Sequence, residues 1–446
     1  MSRRCAISFL FVLVTVLGQA RTRPHYGGTL RVEIEGDPWQ QPNGIARRLV
    51  YDGLTQIDAS GLPAPALAVD WKSDNDYRHW QFRLRPGVHF SDGTAVTSVN
   101  VVSSLNASCP GNCPWGAIRA LGGAVVFTSD LPMPVLPALL ASDAFLIALP
   151  NPNPSSDDRL LGTGPYQTAG FVNSVLKLTA DENCWQGRPF ADAIEIRVHR
   201  AIRDQWLDLS VGRADIVEVP TEQLRQAQQN HLRLLTSAPV ALLALEVSDA
   251  GALANPILRA AISLAIDRSA LSNVIYQKQG EVTASLLPAE MSGYSFLFPI
   301  ERDLNRAHEL RGGLNTPPLT LFGSGSPTLQ LAAQRIALNL REAGFNVQVA
   351  TTTQRGDLNL RLFALGERDP QSSLESLLRA EGQPVPVTDS SPAALYKVEH
   401  EFLDRKTLIP LLYLRRAYAA SGRVRDLHLD AAGTPDLADA SLEDAP

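Results

Sequence analysis

The chain of 446 residues carries 40 basic and 46 acidic side chains, a formal net charge of −6, and 45% of its residues are hydrophobic. A chain of this length divides into about two or three domains and can bury a large core, so disorder, a collagen-like repeat and a disulfide-dominated miniprotein are excluded. Because phosphate binding requires a basic surface, the mildly acidic balance argues against nucleic acid as the main partner.

The first 20 residues have the three-part pattern of a signal peptide. Arg3 and Arg4 precede an apolar run at 6–17, and small residues suited to cleavage end at Ala20. This run is shorter than the ~20 residues that cross a bilayer. We therefore expect residues 1–20 to be removed and the mature chain to be exported. No cysteine follows the apolar run directly, so no lipid anchor is expected at that point.

Hydrophobic periodicity along the mature chain predicts alternating strands and helices. The predicted strands lie at 27–34, 79–85, 175–179 and 193–199, and the predicted helices at 97–105, 202–209, 221–229, 257–266 and 269–276. A strand at 319–322, a helix that begins at Ser326 and ends before Gly344, and a strand at 345–350 predict a β-α-β unit with parallel strands. The stretch at 149–158, rich in Pro, Asn and Ser, predicts a linker.

Three cysteines remain after the predicted cleavage. Cys109 and Cys113 enclose a Pro-Gly turn, which favours a small disulfide loop in an oxidising compartment. A metal site is the alternative, although no histidine or further cysteine lies nearby in the sequence. Cys184 is left as an odd third thiol.

No motif of the sequence predicts catalysis. The segments GTGPY (162–166) and GSGS (323–326) lack the lysine of a phosphate loop and the three glycines of a dinucleotide loop, so both are interpreted as tight turns. Neither a G-x-S-x-G elbow nor an H-E-x-x-H metal motif occurs. We predict no catalytic residue, no metal ligand and no cofactor.

Two tryptophans lie in loop-like segments without strand or helix periodicity. Trp39 follows Asp37-Pro38, and Trp115 follows Cys113-Pro114. Aromatic side chains on loops at a domain boundary are typical of a ligand cleft. The alternative for each ring is burial in a hydrophobic core.

A series of short motifs occurs in the order found in a known protein family. The motifs are YDGL (51–54), GLPAPALA (61–68), WQFRLRPGVHFSDG (80–93), GTGPY (162–166), NCWQGRP (183–189), GRADI (212–216), AISLAIDR (261–268) and IPL (409–411). In these motifs the chain resembles the peptide/nickel-type (family 5) solute-binding proteins of ABC transporters. The resemblance extends over nearly the whole mature chain.

The resemblance implies an α/β fold, a two-lobed clamshell of the periplasmic-binding-protein type II class with mixed sheets and an inserted small domain. It implies a discontinuous lobe one made of residues 21–50, 160–236 and 407–446. The inserted domain would be residues 51–159, and lobe two would be residues 237–406.

The implied function is that of the solute-binding component of an ABC importer, which closes on a peptide or similar small solute and delivers it to a membrane permease. We expect the ligand to contact Trp39 of lobe one, Trp115 of the inserted domain and Glu367 of lobe two. Glu367 would take the place of the acidic residue that meets the free amine in peptide-binding members of the family.

The expected partners are this solute and the ABC permease and ATPase complex. We expect a monomer in the periplasm, with no enzymatic activity and no nucleic-acid partner. Two alternatives stay open from the sequence: an exported hydrolase with a similar cleft, and a sensor or accessory protein that keeps the clamshell without transport.

Overall fold

The computed structural model of the chain describes residues 25–40, 44–58, 61–109, 113–150, 160–294, 297–314, 316–323, 326–350, 356–365, 370–382 and 391–443. The predicted signal peptide, most of the predicted linker and Glu367 lie outside the described residues. No helix within these ranges is long and apolar enough to cross a membrane.

The strands range from two-residue pairs to one strand of 15 residues. In chain order they are β1 (Thr29–Glu33), β2 (Thr55–Ile57), β3 (Pro63–Pro65), β4 (Ala68–Ser73), β5 (His79–Leu84), β6 (Ala117–Leu121), β7 (Ala124–Thr128), β8 (Leu149–Pro150), β9 (Leu160–Leu161), β10 (Tyr166–Val172), β11 (Val175–Ala180), β12 (Ala193–Arg197), β13 (Ile216–Glu218), β14 (Arg233–Val247), β15 (Glu281–Val282), β16 (Leu319–Gly323), β17 (Val347–Val349), β18 (Leu358–Ala364), β19 (Leu408–Ala420), β20 (Val424–Arg425), β21 (His428–Leu429), β22 (Pro435–Asp436) and β23 (Ser441–Leu442).

The helices are mostly short, and the longest has 16 residues. They are α1 (Arg47–Val50), α2 (Ser98–Ser108), α3 (Leu136–Leu139), α4 (Ile202–Ser210), α5 (Leu224–Gln229), α6 (Pro256–Ala265), α7 (Arg268–Ala270), α8 (Ala289–Ser292), α9 (Leu304–Arg311), α10 (Pro327–Glu342), α11 (Pro370–Ala380) and α12 (Pro392–Leu403). Single 3₁₀ turns lie at Asp143–Phe145, Thr221–Gln223 and Gly251–Ala254.

One large mixed sheet runs through the molecule. Its strand order is β10-β11-β12-β1-β13-β19-β14-β18-β16-β17, with β15 paired to β19. Strand β1 is parallel to β12 and β13, and β16 is parallel to β17 and β18. The long strands β14 and β19 are antiparallel neighbours in the middle of this order. They therefore join the two halves of the sheet.

Separate hydrophobic cores form on the two halves of the sheet and beside it. Leu30 and Ile194 belong to the core that contains β1 and β12. Ile262 of α6 and Ile336 of α10 belong to the core on the other half. A third core, around Phe82, is built from residues between 54 and 161, where β4, β5, β7 and β6 form a four-stranded antiparallel sheet. We call these parts lobe one, lobe two and the small domain.

Both long strands contribute to both lobes. Leu245 of β14 and Leu411 of β19 lie in the core of lobe two, whereas Tyr418 of β19 lies in the core of lobe one. The pairing of β14 with β19 shifts in register on either side of Pro239. The chain thus crosses between the lobes on β14 and on β19. The domain boundaries expected from the sequence stay a prediction.

The predicted β-α-β unit is confirmed as β16, α10 and β17, with the two strands parallel. The Ser326 hydroxyl oxygen accepts the Leu329 N–H at 3.2 Å, and Pro327 occupies the first helical position. Gly344 follows the helix with φ +87°, in the left-handed region that glycine tolerates. The predicted strands near β1, β5, β11 and β12 and the predicted helices near α2, α4 and α6 are also present.

Two predicted helices are less regular than expected. The predicted helix at 221–229 divides into the 3₁₀ turn and α5, and the one at 269–276 is α7 followed by a π-helical turn at Leu271–Ile275. Asp267 caps α7, because its carboxylate accepts the Ala270 N–H at 2.7 Å. Within the π-helical turn the buried Ser272 donates its hydroxyl to the Gly280 carbonyl at 2.6 Å, a tertiary contact that accompanies the wider turn.

The GTGPY motif is a tight turn at which two backbone segments meet. A Cβ atom on Gly162 would overlap the carbonyl oxygen of Val50, and one on Gly164 would lie 2.6 Å from the carbonyl oxygen of Leu49. The Gly164 N–H donates to the Val50 carbonyl at 3.0 Å. Glycine is required here because backbone packs directly against backbone.

We predict that Gly162→Ala destabilises the protein by about 3 kcal/mol, since the added methyl group displaces a backbone segment and not a flexible side chain. Gly123→Ala is the matched control, because a Cβ at Gly123 meets no atom within 4 Å. Urea unfolding of both variants and the wild type measures the effect. Equal stability of the two variants would contradict the packing described for Gly162.

Candidate functional site

The carboxyl ends of strands from both lobes face the crossing of β14 and β19. In lobe one, β1 and β13 are parallel, and Glu218 at the end of β13 pairs with Tyr418 of β19. In lobe two, Ala364 at the end of β18 pairs with Ala241 of β14, and β16 is parallel to β18. The carboxyl ends of these strands therefore point toward the boundary between the lobes, the crevice in which open α/β sheets bind ligands.

Trp39 lies on the loop that follows β1 at this crevice. Its backbone N–H donates to the Asp37 carboxylate at 2.7 Å, and its half-buried ring lies against Tyr51 with centroids 6.3 Å apart. The carbonyl of Pro38 accepts the Ala46 N–H at 3.0 Å, which ties the loop to the start of α1. Trp39 also packs against the hydrophobic core of lobe one and is half-buried there, and its contact with a ligand stays a prediction.

Glu218 holds the same loop through a hydrogen bond to its carboxylate. One of its carboxylate oxygens accepts the Glu35 N–H at 2.6 Å and lies 3.4 Å from the Gln205 side-chain nitrogen. The Gln205 side-chain oxygen in turn accepts the Glu218 N–H at 2.9 Å. Burial raises the pKa of Glu218, and these hydrogen bonds oppose that rise. Sequence reasoning missed Glu218, although it stands two residues after the GRADI motif.

Trp115 lies in the core of the small domain. Its ring is 5% exposed and packs against Phe127 and Phe145, with centroids 5.1 and 5.0 Å away. A disulfide joins the neighbouring Cys109 and Cys113. In this arrangement Trp115 is a core side chain, so the structure does not bring it together with Trp39, and its role with a ligand stays a prediction.

Asp52, next to Tyr51, joins the small domain to lobe one. Its Oδ2 atom accepts the Trp185 Nε1–H at 2.8 Å and the Thr163 hydroxyl at 2.9 Å. Burial raises the pKa of Asp52 to about 6, although both hydrogen bonds favour the charged form. Asp52, Thr163 and Trp185 belong to three separate motifs of the sequence. In the structure their side chains meet at the Asp52 Oδ2 atom.

The described residues contain one group of side chains with the composition of a metal site. His428, Asp436 and Asp439 place one ligand atom each within 4.8 Å of one another on the C-terminal segment. His428 and Asp439 are exposed, and the His428 Nε2 atom lies 3.3 Å from the Asp436 carboxylate, as in an ordinary surface ion pair. His428 also lines a pocket with Ser237 and Ala238 of β14, next to the crossing of the two long strands.

Residues 63–383 match the model of the bacterial extracellular solute-binding proteins, family 5. The chain belongs to this family. It is 23% identical over 423 residues to a probable di/tripeptide-binding protein of Pseudomonas aeruginosa, an alignment that covers 82% of this chain and 79% of that protein. It is 31% identical over 159 residues to the HTH-type transcriptional regulator SgrR of Yersinia pestis, but this match covers 34% of the chain and 28% of the regulator.

Solved structures of this family's architecture superpose on most of the solute-binding protein. NikA from Brucella suis, in complex with Fe(III)-EDTA, matches with a TM-score of 0.80 at 18% identity over 93% of this chain and 100% of NikA. The oligopeptide-binding protein AppA from Bacillus subtilis, in complex with a nonapeptide, matches with a TM-score of 0.78 at 15% identity over 95% of this chain and 100% of AppA. The two-lobed type II fold expected from the sequence is confirmed.

We predict that Asp52→Asn removes a pH dependence of stability between about pH 4 and 6. The folded protein holds the Asp52 proton up to about pH 6, whereas the unfolded chain releases it near 3.8, so the stabilisation is complete below pH 3.8 and is lost as the pH rises through 6. An asparagine Oδ1 atom can still accept both hydrogen bonds that reach Oδ2.

Urea unfolding of wild type and Asp52→Asn at pH 4, 5, 6 and 7 measures this effect. The free energy of unfolding of the wild type, relative to the variant, falls by roughly 2 to 3 kcal/mol over this range. If the difference in free energy of unfolding between the wild type and Asp52→Asn were the same at every pH, this would contradict the burial of a titrating carboxyl group at Asp52.

Proposed function

We propose that this solute-binding protein captures a peptide or similar small solute between its lobes and delivers it to an ABC permease and ATPase complex. The observation that carries the proposal is the crevice between two lobes that are joined by β14 and β19, in a chain whose family is defined by solute binding. The family is extracellular, and we place the mature protein in the periplasm as a monomer, with residues 1–20 as its signal peptide.

A peptide is the solute class best supported. The relative that aligns over 82% of the chain carries the name of a di/tripeptide-binding protein, and AppA was solved with a nonapeptide. Trp39 offers an aromatic face to side chains or peptide planes, which buries ligand area at low entropic cost. Glu367 of lobe two would attract the free amine of the peptide.

Closure of the lobes would trap the solute. The register of β14 with β19 breaks around Pro239, so rotation at this point disturbs few hydrogen bonds. A ligand shifts the equilibrium toward the closed form only by its higher affinity for that form, so contacts from both lobes are needed. Trp39 on lobe one and Glu367, expected on lobe two, would satisfy this requirement.

The two alternatives from the sequence are less well supported. The relatives over the greater part of the chain are binding proteins, which does not favour a hydrolase. The match to a transcriptional regulator is confined to about a third of the chain, so it gives little support to a sensor role.

Thermal-shift measurements with di- to nonapeptides test the proposed solute class. A peptide at 100 times its dissociation constant stabilises the protein by ~2.7 kcal/mol, and the same peptide with an acetylated N-terminus should stabilise it less because the amine charge is lost. Glu367→Gln should remove this preference for the free amine. Absence of stabilisation by every peptide would overturn the assignment of peptides as the solute.

Trp39→Ala tests the crevice itself. We expect the affinity for a bound peptide to fall by about 2 kcal/mol, the typical effect of a central aromatic contact. Trp71→Ala is the matched control, because Trp71 is also half-buried and stacks on Phe82 within the small domain. Isothermal titration calorimetry measures both affinities. Equal affinities of the two variants would place the solute away from Trp39.

A further inference from the structure

One direct side-chain hydrogen bond links lobe one to lobe two beside the crevice. The Thr328 hydroxyl donates to a carboxylate oxygen of Glu222 at 2.5 Å, between residues separated by 106 positions in the sequence. Both side chains are half-buried. A hydrogen bond to a charged acceptor is about twice as strong as a neutral one, and partial burial protects it from solvent.

Glu222 is fixed to lobe one. It lies on the 3₁₀ turn after β13, and the next buried residues, Leu224 and Ala227, pack with Val217 in the hydrophobic cluster of that lobe. The preceding residue, Thr221, donates its hydroxyl to the Arg415 carbonyl of β19 at 3.0 Å. The carboxylate is therefore positioned at the crossing between the lobes by its own lobe.

Thr328 is fixed to lobe two. It is the second residue of α10, the first turn of which is capped by Ser326, and the adjacent Leu329 and the later Ile336 are buried in the core of lobe two. The aligned peptide dipoles of a 16-residue helix give its amino end a partial positive charge, which adds to the attraction for a carboxylate. Burial and the nearby charge of Glu222 raise the pKa of Tyr276, which also belongs to lobe two. Glu222 therefore lies near a second residue of that lobe.

Rotation of the lobes changes the distance between Glu222 and Thr328. Each residue moves with its own lobe, and the lobes are joined covalently only by β14 and β19. Because a hydrogen bond weakens steeply with distance and angle, the contact is retained only over a narrow range of lobe orientations.

We propose that the lobe arrangement described above is the closed one, and that Glu222 and Thr328 are positioning residues that hold it and so raise the affinity for the solute without touching it. This proposal rests on the proposed function in requiring closure on a solute. The apparent dissociation constant equals the intrinsic value divided by the fraction of competent closed protein. With both lobe arrangements populated, a tenfold shift of their equilibrium, the effect of a charge-assisted hydrogen bond, should therefore weaken binding by up to roughly tenfold.

The matched variants are Thr328→Val, which removes the hydroxyl at constant shape, and Thr328→Ser, which keeps it. Spin labels at Val172→Cys in lobe one and Leu338→Cys in lobe two, both at exposed positions, report the distance between the lobes without any ligand. We expect Thr328→Val and Glu222→Ala to move the distance distribution toward the open form, while Thr328→Ser retains the wild-type distribution. Unchanged distributions in both disruptive variants would overturn the proposal.

Affinity for a tripeptide that stabilises the wild type gives the second readout. Thr328→Val and Glu222→Ala should each weaken binding by up to about tenfold with little change in melting temperature, and the double variant should be no weaker than either single variant. Additive losses in the double variant would contradict a direct pair. If no peptide binds the wild type, the proposed solute fails, whereas the distance measurement still decides whether the pair holds the lobes together.

Discussion

The pairing of β14 with β19 is the constraint on which the rest of the structure depends. These two strands run through the middle of the large sheet. Both contribute buried side chains to the core of lobe two, and β19 contributes Tyr418 to the core of lobe one, against which the partly buried Leu235 of β14 also packs. The lobes cannot fold against each other as one body, because their cores lie on different halves of the sheet. The two strands keep the lobes connected, and the break in their register near Pro239 is where the proposed rotation would take place.

The same topology explains why the crevice lies at the crossing. The parallel strands of each lobe end toward β14 and β19, so their carboxyl ends face the crossing from opposite sides. The protein positions these loops with buried polar groups: Glu218 holds the loop of Trp39, and Asp52 holds the small domain against Thr163 and Trp185. Buried carboxylates are costly unless they are hydrogen-bonded, so these contacts fix a single arrangement of the loops.

Local signals predicted the parts of the fold that local interactions determine. Ser326, Pro327 and Gly344 mark the ends of α10 because capping and backbone conformation act within a few residues. The glycines of GTGPY, in contrast, are required by the distant backbone of Leu49 and Val50, a contact that the motif itself does not indicate. Trp115 could not be assigned to the small-domain core, since Phe127 and Phe145 reach it only through tertiary packing. The contacts of Glu218 with Glu35 and of Glu222 with Thr328 join residues 183 and 106 positions apart, and nothing in the spacing of these residues indicates a pair.

Small-angle X-ray scattering with and without a saturating peptide tests most directly whether the lobes close on a solute. If rotation about β14 and β19 traps the solute, the radius of gyration of the protein decreases when the peptide binds. A radius of gyration that stays the same at full saturation would show that the solute binds without closure, and would contradict the account of the two strands as a hinge.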